Sequence, residues 1–248
     1  IEIHNPDPAR VLSLAGVTLR KGGRGSAAVF PDGATLNPGE YAVVCATSAA
    51  MEFQRLAVAK VVALSNFPSL TNAGDTLTLR RADGALVFSV VYADDWYRDD
   101  VKADGGWSLE LIDRAQPCGL APNWVATRDL GGGTPGRVNS RDSTLAPLPA
   151  PTLESTRVTA GAPGRSELRL RFTQKLDSLT AADPARYTLG GGLRVLGATV
   201  RGPELREVRL ALSGALVPGQ TVRLTATGLA GCGGATQPLQ LEGESRAP

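Results

Sequence analysis

The chain has 248 residues, enough for two domains of ordinary size, each with its own core. Apolar residues at 42% and charged residues at 20% exclude general disorder, and no run of about 18 apolar residues is present to cross a membrane. The net charge of +2 is unevenly spread, with 14 Lys+Arg against 16 Asp+Glu in residues 1–145 (−2) and 12 against 8 in the remainder (+4). The basic residues of the second half alternate with apolar ones, as on a solvated sheet face. A nucleic-acid footprint would concentrate them in one stripe, so nucleic acid is not an expected partner.

The chain opens on strand-like sequence, IEIHNP, with neither an initiator Met nor a signal peptide. It therefore reads as a piece of a longer polypeptide, and its compartment cannot be taken from a leader. Three cysteines, Cys45, Cys118 and Cys232, form no C-x-x-C, which excludes a zinc ribbon and a thioredoxin-type motif. Cys45 and Cys118 share the first half and are a candidate disulfide, with the Cα separation left open by sequence.

Taken in chain order, the first half repeats strand, turn, strand. FPDGATLNPGEYAVVC places turns at Asp32-Gly33 and Asn37-Pro38-Gly39 and starts a new strand at Tyr41. SAAMEFQRL is the one helix candidate, with Ser48 as its expected cap. In DTLTLRR, Leu77 and Leu79 are expected on one face and Thr76, Thr78 and Arg80 on the other. Asp83-Gly84 then makes a hairpin, because that pair accepts positive φ. Pro147, Pro149 and Pro151 fall within five residues and mark an extended spacer. The expected domains are 1–142, a linker at 143–155, and 156–248.

Beyond the spacer the alternation is clean. Leu168, Leu170 and Phe172 in SELRLRF, Val208, Leu210 and Leu212 in EVRLAL, and Val222, Leu224 and Ala226 in TVRLTAT are the expected inward sets. Turns at PGR, GGG, RGPE and VPGQ recur at the spacing of a seven-strand sandwich, and TAAD before Pro184 is a cap for one helical turn.

Chemistry has few places to reside. His4 is the only histidine, so any Ser-His-Asp triad, Cys-His dyad or histidine zinc site would need it, and it sits at a strand end running into an Asn-Pro turn. Residues 131–136, GGGTPG, fit G-x-G-x-x-G as a string, but Pro135 lies inside and no helical pattern follows, so this is a glycine-rich turn. The stretch YADDWYRDDVKADGGWSLELID, residues 92–113, is the one segment that looks like a site. Asp94, Asp95, Asp99 and Asp100 are candidate calcium ligands, although the segment lacks the EF-hand order and holds Arg98 and Lys102 as neutralising cations. Calcium is the only cofactor the sequence suggests. Trp96 and Tyr97 are candidates for stacking a ligand, whereas Trp107, sharing a face with Leu109 and Leu111, and Trp124 are expected in the core.

The ordered set IEIHNPDPARVLSLAGVTLR, ATLNPGEYAVVC, LTNAGDTLTLRRADGALVFSVVYADDWY, GGWSLELID, NWVATRD and GGTPGRVNS resembles the lamin tail domain as it occurs in secreted and surface proteins of bacteria, over about residues 1–140. The resemblance implies an Ig-like β-sandwich for this half, one that lacks the family's usual first strand. LRLRFTQKLD, DPARYTL and LVPGQTVRLTATGLAGCGG are similar to bacterial Ig-like domains of cell-surface and S-layer proteins. The expected fold is thus all-β, two Ig-like sandwiches joined by a Pro-rich linker. In such domains the aromatic-acidic turn belongs to the fold signature, with Gly105 and Gly106 allowing a tight turn before Trp107 packs.

The resulting expectation is a non-enzymatic extracellular module of a larger bacterial surface or secreted protein, serving as spacer, adhesin or dock. Its partners are other domains of that polypeptide or cell-surface components. The alternative is a targeting module that binds polysaccharide or nucleic acid for an enzyme elsewhere in the polypeptide. A hydrolase in its own right would need His4 or a carboxylate pair in a pocket.

Overall fold

Period-two alternation and Gly-centred turns produce an all-β molecule. The computed structural model describes residues 1–22, 26–117, 120–216, 220–231 and 239–246, the last stretch by its backbone. The expected turn at VPGQ falls largely on residues 217–219, and Cys118 and Cys232 also lie outside the described residues. Two compact units are present, Ile1–Ala146 and Pro147–Pro248.

The first unit contains β1 (Glu2–His4), β2 (Leu12–Ser13), β3 (Thr18–Lys21), β4 (Ala28–Val29), β5 (Thr35–Leu36), β6 (Tyr41–Ala46), α1 (Ala50–Arg55), β7 (Val61–Leu64), β8 (Gly74–Arg80), β9 (Leu86–Ala93), α2 (Asp100–Ala103), β10 (Leu109–Leu111) and β11 (Trp124–Ala126). One sheet is antiparallel in the order β4-β3-β8-β9, and another runs β1-β6-β7, with β6 antiparallel to β1 and parallel to β7. The parallel pair needs a crossover, which α1 supplies. Leu19 and Ala28 from the first sheet meet Ala42, Val44, Val62 and Leu64 from the second, with Phe30 and Leu36 filling the layer between. The run AVVC in β6 is buried on both faces, so here the sequence is continuously apolar instead of alternating.

The expected turns are present. Gly33 and Gly39 have φ of 80° and 69°, and the hairpin at Asp83-Gly84 closes β8 on β9 with Gly84 at 85°. One local expectation fails. Ser48 lies inside a 3₁₀ turn (Thr47–Ala49) and does not cap α1, whose N-cap is Ala49 without a side-chain bond. Thr78 is buried, while Leu77 and Leu79 are only partly so. Thr78 pairs across the strands with Ser89, itself buried, so both faces of this hairpin are covered.

The second unit holds β12 (Leu153–Ala160), β13 (Ser166–Phe172), α3 (Ser178–Ala181), β14 (Tyr187–Leu189), β15 (Val195–Arg201), β16 (Glu207–Leu212), β17 (Thr221–Leu229) and β18 (Leu239–Arg246). Its sheets run β12-β13-β16-β15 and β14-β17-β18, all antiparallel. All nine of the alternating side chains expected inside are buried there. Each such Leu or Phe stabilises the unit by roughly 1.5–3 kcal/mol of transfer free energy. Asp183 caps the turn Pro184–Arg186 by accepting the Ala185 N–H at 3.0 Å. At the end of the first unit, Ser143 and Leu145 are bonded back to Ile112 and Asp113; at the start of the second, the Thr152 N–H bonds Thr173 Oγ1 just before β12 begins.

In the first unit, Asn5 ties β1 to two neighbouring turns. It is fully buried after β1. Its amide donates to the carbonyls of Arg10, Leu36 and Asn37 at 2.7, 3.1 and 3.0 Å, and its oxygen accepts the Asp7 N–H at 3.0 Å. Truncation leaves three carbonyls without these donors, the one at Leu36 buried. Asn5→Ala is expected to destabilise the chain by about 2–4 kcal/mol in a urea melt, against a near-neutral Asn37→Ala control at the exposed turn.

Candidate functional site

The aromatic-acidic segment connects β9 to β10. After Ala93, residues Asp94–Tyr97 form one 3₁₀ turn, Arg98 takes a left-handed conformation at φ 53°, and Asp99 caps α2 by accepting the Lys102 N–H at 3.2 Å. Gly105 and Gly106 then turn the chain into Trp107 with φ of 123° and 79°. A Cβ on Gly132 would lie 2.5 Å from the Gly106 carbonyl oxygen, so the glycine-rich turn at 131–136 is required for close backbone approach.

The cations and aromatics of the segment pack on its own neighbourhood. Lys102 Nζ donates to the Thr127 carbonyl at 2.7 Å and lies 4.8 Å from the Trp107 ring centre. Tyr97 donates to the Trp107 carbonyl at 3.1 Å, and Trp96 and Trp124 lie tilted with centroids 6.2 Å apart. Trp96 and Tyr97 are therefore half-buried in these contacts and do not form an open platform. Trp107 and Trp124, expected in the core, are also only half-buried.

The four candidate calcium ligands are not gathered. Among the described residues there is no group of three or more His, Cys, Asp or Glu able to hold a metal ion. Asp94 and Asp95 open the 3₁₀ turn while Asp99 and Asp100 open α2, positions where free backbone N–H groups favour a carboxylate. Cys45, the described half of the candidate disulfide, is a free buried thiol, and burial pushes its pKa up.

Sequence alternation missed the residues that hold this region together. In Leu109-Glu110-Leu111 it is Glu110 that is buried, 3% exposed, and the leucines that are half-buried. Its carboxylate accepts Thr134 Oγ1 at 2.8 Å and Ser140 Oγ at 2.7 Å. Asp113, also buried, accepts the N–H groups of Ala115 and Leu145 at 2.9 Å and the Gln116 amide at 2.9 Å. Burial alone would raise its pKa; these donors outweigh that and hold the carboxyl below its ordinary range. Asn123 completes the set, accepting from Asp113 N–H at 2.7 Å and donating to the carbonyls of Asp113 and Gln116.

A second chain of contacts starts at His4, which stacks on Tyr41 at 4.2 Å. Tyr41 accepts from Arg114 at 2.6 Å, and Arg114 grips Asp142 through two bonds of 2.7 and 3.1 Å. Burial, and then the Arg114 charge, hold the His4 imidazole below its ordinary pKa. Among the described residues no Ser, Thr or Cys side chain is hydrogen-bonded to His4, so no nucleophile–base pair is assembled there. Glu2, near Glu110, accepts the Gly136 N–H at 2.6 Å; burial pushes it up to about 7, the Glu110 charge adding and the Gly136 bond opposing.

Two outcomes follow. The melting temperature is expected to be the same in EDTA and in about 5 mM calcium; a calcium-dependent rise that vanishes when Asp94, Asp95, Asp99 and Asp100 all become Asn would restore the cation site. Glu2 binds its proton more tightly folded than unfolded, so its contribution is fully present below its ordinary value of 4.5 and is lost as pH rises to about 7. Glu2→Gln keeps an acceptor for Gly136 and is expected to melt increasingly above wild type as pH rises across that window, with a constant difference above it.

Comparison with known proteins agrees with this architecture in part. The family model of the Lamin Tail Domain matches residues 1–94, ending where the 3₁₀ turn begins. No curated protein matches the chain. Among solved structures, the N-terminal part of the bacterial S-layer protein SbsC is 21% identical with a TM-score of 0.32, covering 39% of this chain and 23% of that one. Domains 1–6 of surface layer protein SbsC are 21% identical with the same TM-score, covering 40% and 14%. The chain thus spans less than a quarter of either, and nothing about its role follows from a likeness of that extent. The family match is of another kind: residues 1–94 are similar to the lamin tail domain over that whole stretch.

Proposed function

We propose that this chain is a non-catalytic extracellular module pair that spaces or docks a larger bacterial surface or secreted protein. The observation that carries the reading is the use made of its buried reactive side chains. Glu110, Asp113 and Asn123 fasten irregular segments to β10 and β11, and Asn5 fastens β1 to its neighbouring turns. Groups that an enzyme would keep available for substrate are here committed to the fold. The lamin tail match at residues 1–94 and the resemblance of the ordered motifs to bacterial secreted and surface proteins support the same reading. No described helix is long and apolar enough to cross a membrane.

Pro147, Pro149 and Pro151 fall in the first five residues of the second unit, where they favour extended backbone before β12. The targeting alternative would add a ligand to the same scaffold without changing these contacts.

Location tests the reading. An epitope inserted between Pro149 and Ala150, both exposed, in the full-length polypeptide of its native host is expected to be bound by antibody on intact cells or in the medium. Labelling that appears only after lysis would overturn it.

A further inference from the structure

The family match ends at residue 94, and the chain that follows builds a concave feature. A groove of about 370 Å³ opens in the first unit, lined by Arg98, Arg128, Arg141 and Asp142 together with Ser140 and Ser143. Part of its wall is apolar, from Ile112 and Val125. The size falls in the range of small-ligand sites, roughly 300–1,000 Å³.

Its charge is unbalanced. Asp142, the one carboxylate in the lining, is held by Arg114 through two bonds of 2.7 and 3.1 Å. Arg98, Arg128 and Arg141 have no ion pair among the described residues. The Arg98 side chain donates to the Ala121 carbonyl at 2.8 Å, which holds its guanidinium against the loop before β11. Three cations around one concavity repel one another unless an anion joins them.

Two structural details indicate that the arrangement is built and not incidental. Arg98 is held at φ 53° as the left-handed residue that ends the 3₁₀ turn, so its backbone direction is set by that turn. The wall is rigid: Ser140 accepts the Arg128 N–H at 2.8 Å and donates to the buried Glu110 at 2.7 Å. Glu110 therefore acts as a positioning residue, setting the backbone from which Arg128 and Arg141 project.

We infer that this groove binds an oxyanion, the carboxylate or phosphate of a sugar-sized ligand, through Arg98, Arg128 and Arg141. The planar guanidinium fork matches either group with two parallel N–H···O bonds. The serine hydroxyls and the apolar wall suit the uncharged remainder of such a ligand. The inference gives the docking module proposed above a ligand class; it rests on that reading only for where the ligand is met.

The test is titration of the ¹⁵N-labelled 248-residue chain with inorganic phosphate and, separately, with glucuronate, each against sodium chloride at matched ionic strength. Saturable shifts at the amides around Arg98, Arg128 and Arg141 are expected, with half-saturation at about 10 mM or below. Shifts with phosphate alone assign phosphate esters, with glucuronate alone carboxylates, and with both the shared chemistry. Arg128→Gln/Arg141→Gln is expected to weaken binding about tenfold or more with an unchanged melt. Arg98→Gly removes a guanidinium while relieving the backbone, so affinity should fall with no loss of melting temperature. Absence of a saturable shift with either probe, or affinities unchanged in both variants, overturns the inference. Neither result bears on the cell-surface labelling, so the two readings fail separately.

Discussion

The buried Glu110 carboxylate is the constraint on which the first unit's latter third depends. Taking a carboxylate out of water costs several kcal/mol unless donors replace the solvent. Here two hydroxyls at 2.7–2.8 Å do so, and they arrive from Thr134 and Ser140, in a stretch that has no regular secondary structure. The strand cannot bury its glutamate without those residues, and those residues have no sheet of their own to join. Asp113 and Asn123 repeat the arrangement one turn further on, gathering Ala115, Gln116 and Leu145. The short β10–β11 ladder is therefore the spine of a polar knot, and residues 127–146 are ordered by side-chain acceptors where backbone ladders are lacking.

The two units solve the same problem by opposite means. In the second, three strands bury every alternate residue, and six side chains of β13 and β16 are completely excluded from solvent. Its stability is apolar and distributed. In the first, an apolar cluster built from residues between Leu14 and Leu64 is supplemented by polar fasteners at Asn5, Glu110, Asp113 and Asn123. Hydrogen bonds depend on direction as well as burial, so this unit tolerates change less evenly: loss of one buried partner leaves others unsatisfied.

That contrast also explains what was legible in the sequence. SELRLRF, EVRLAL and TVRLTAT state their inward faces outright because period two is the strand's own period. Asp83-Gly84 and Asn37-Pro38-Gly39 are equally readable, since positive φ limits the residues that fit. Glu110 was not readable. Flanked by Leu109 and Leu111, it has the pattern of an exposed residue, and only partners 24 and 30 positions away reverse that reading. The contact chain from His4 through Tyr41 and Arg114 to Asp142 is hidden for the same reason, spanning most of the unit with no local pattern. The aspartates of residues 94–100 are close in sequence, but two successive N-termini divide them.

Where a site forms follows from this division of labour. The alternating strands of the second unit close their inward faces on one apolar core. Irregular chain can curve around a hollow, but by itself it is too mobile to hold charged groups in place. The polar knot removes that difficulty. Ser140 is pinned at once to Glu110, Thr127 and the Arg128 amide, and Asp142 is pinned by Arg114. The loop segment thereby gains some of the stiffness of a strand while keeping the curvature of a loop, which is what preorganised recognition of a small anion requires. The buried carboxylate thus has an effect at the surface: through Ser140 it fixes the backbone from which Arg128 and Arg141 line the groove.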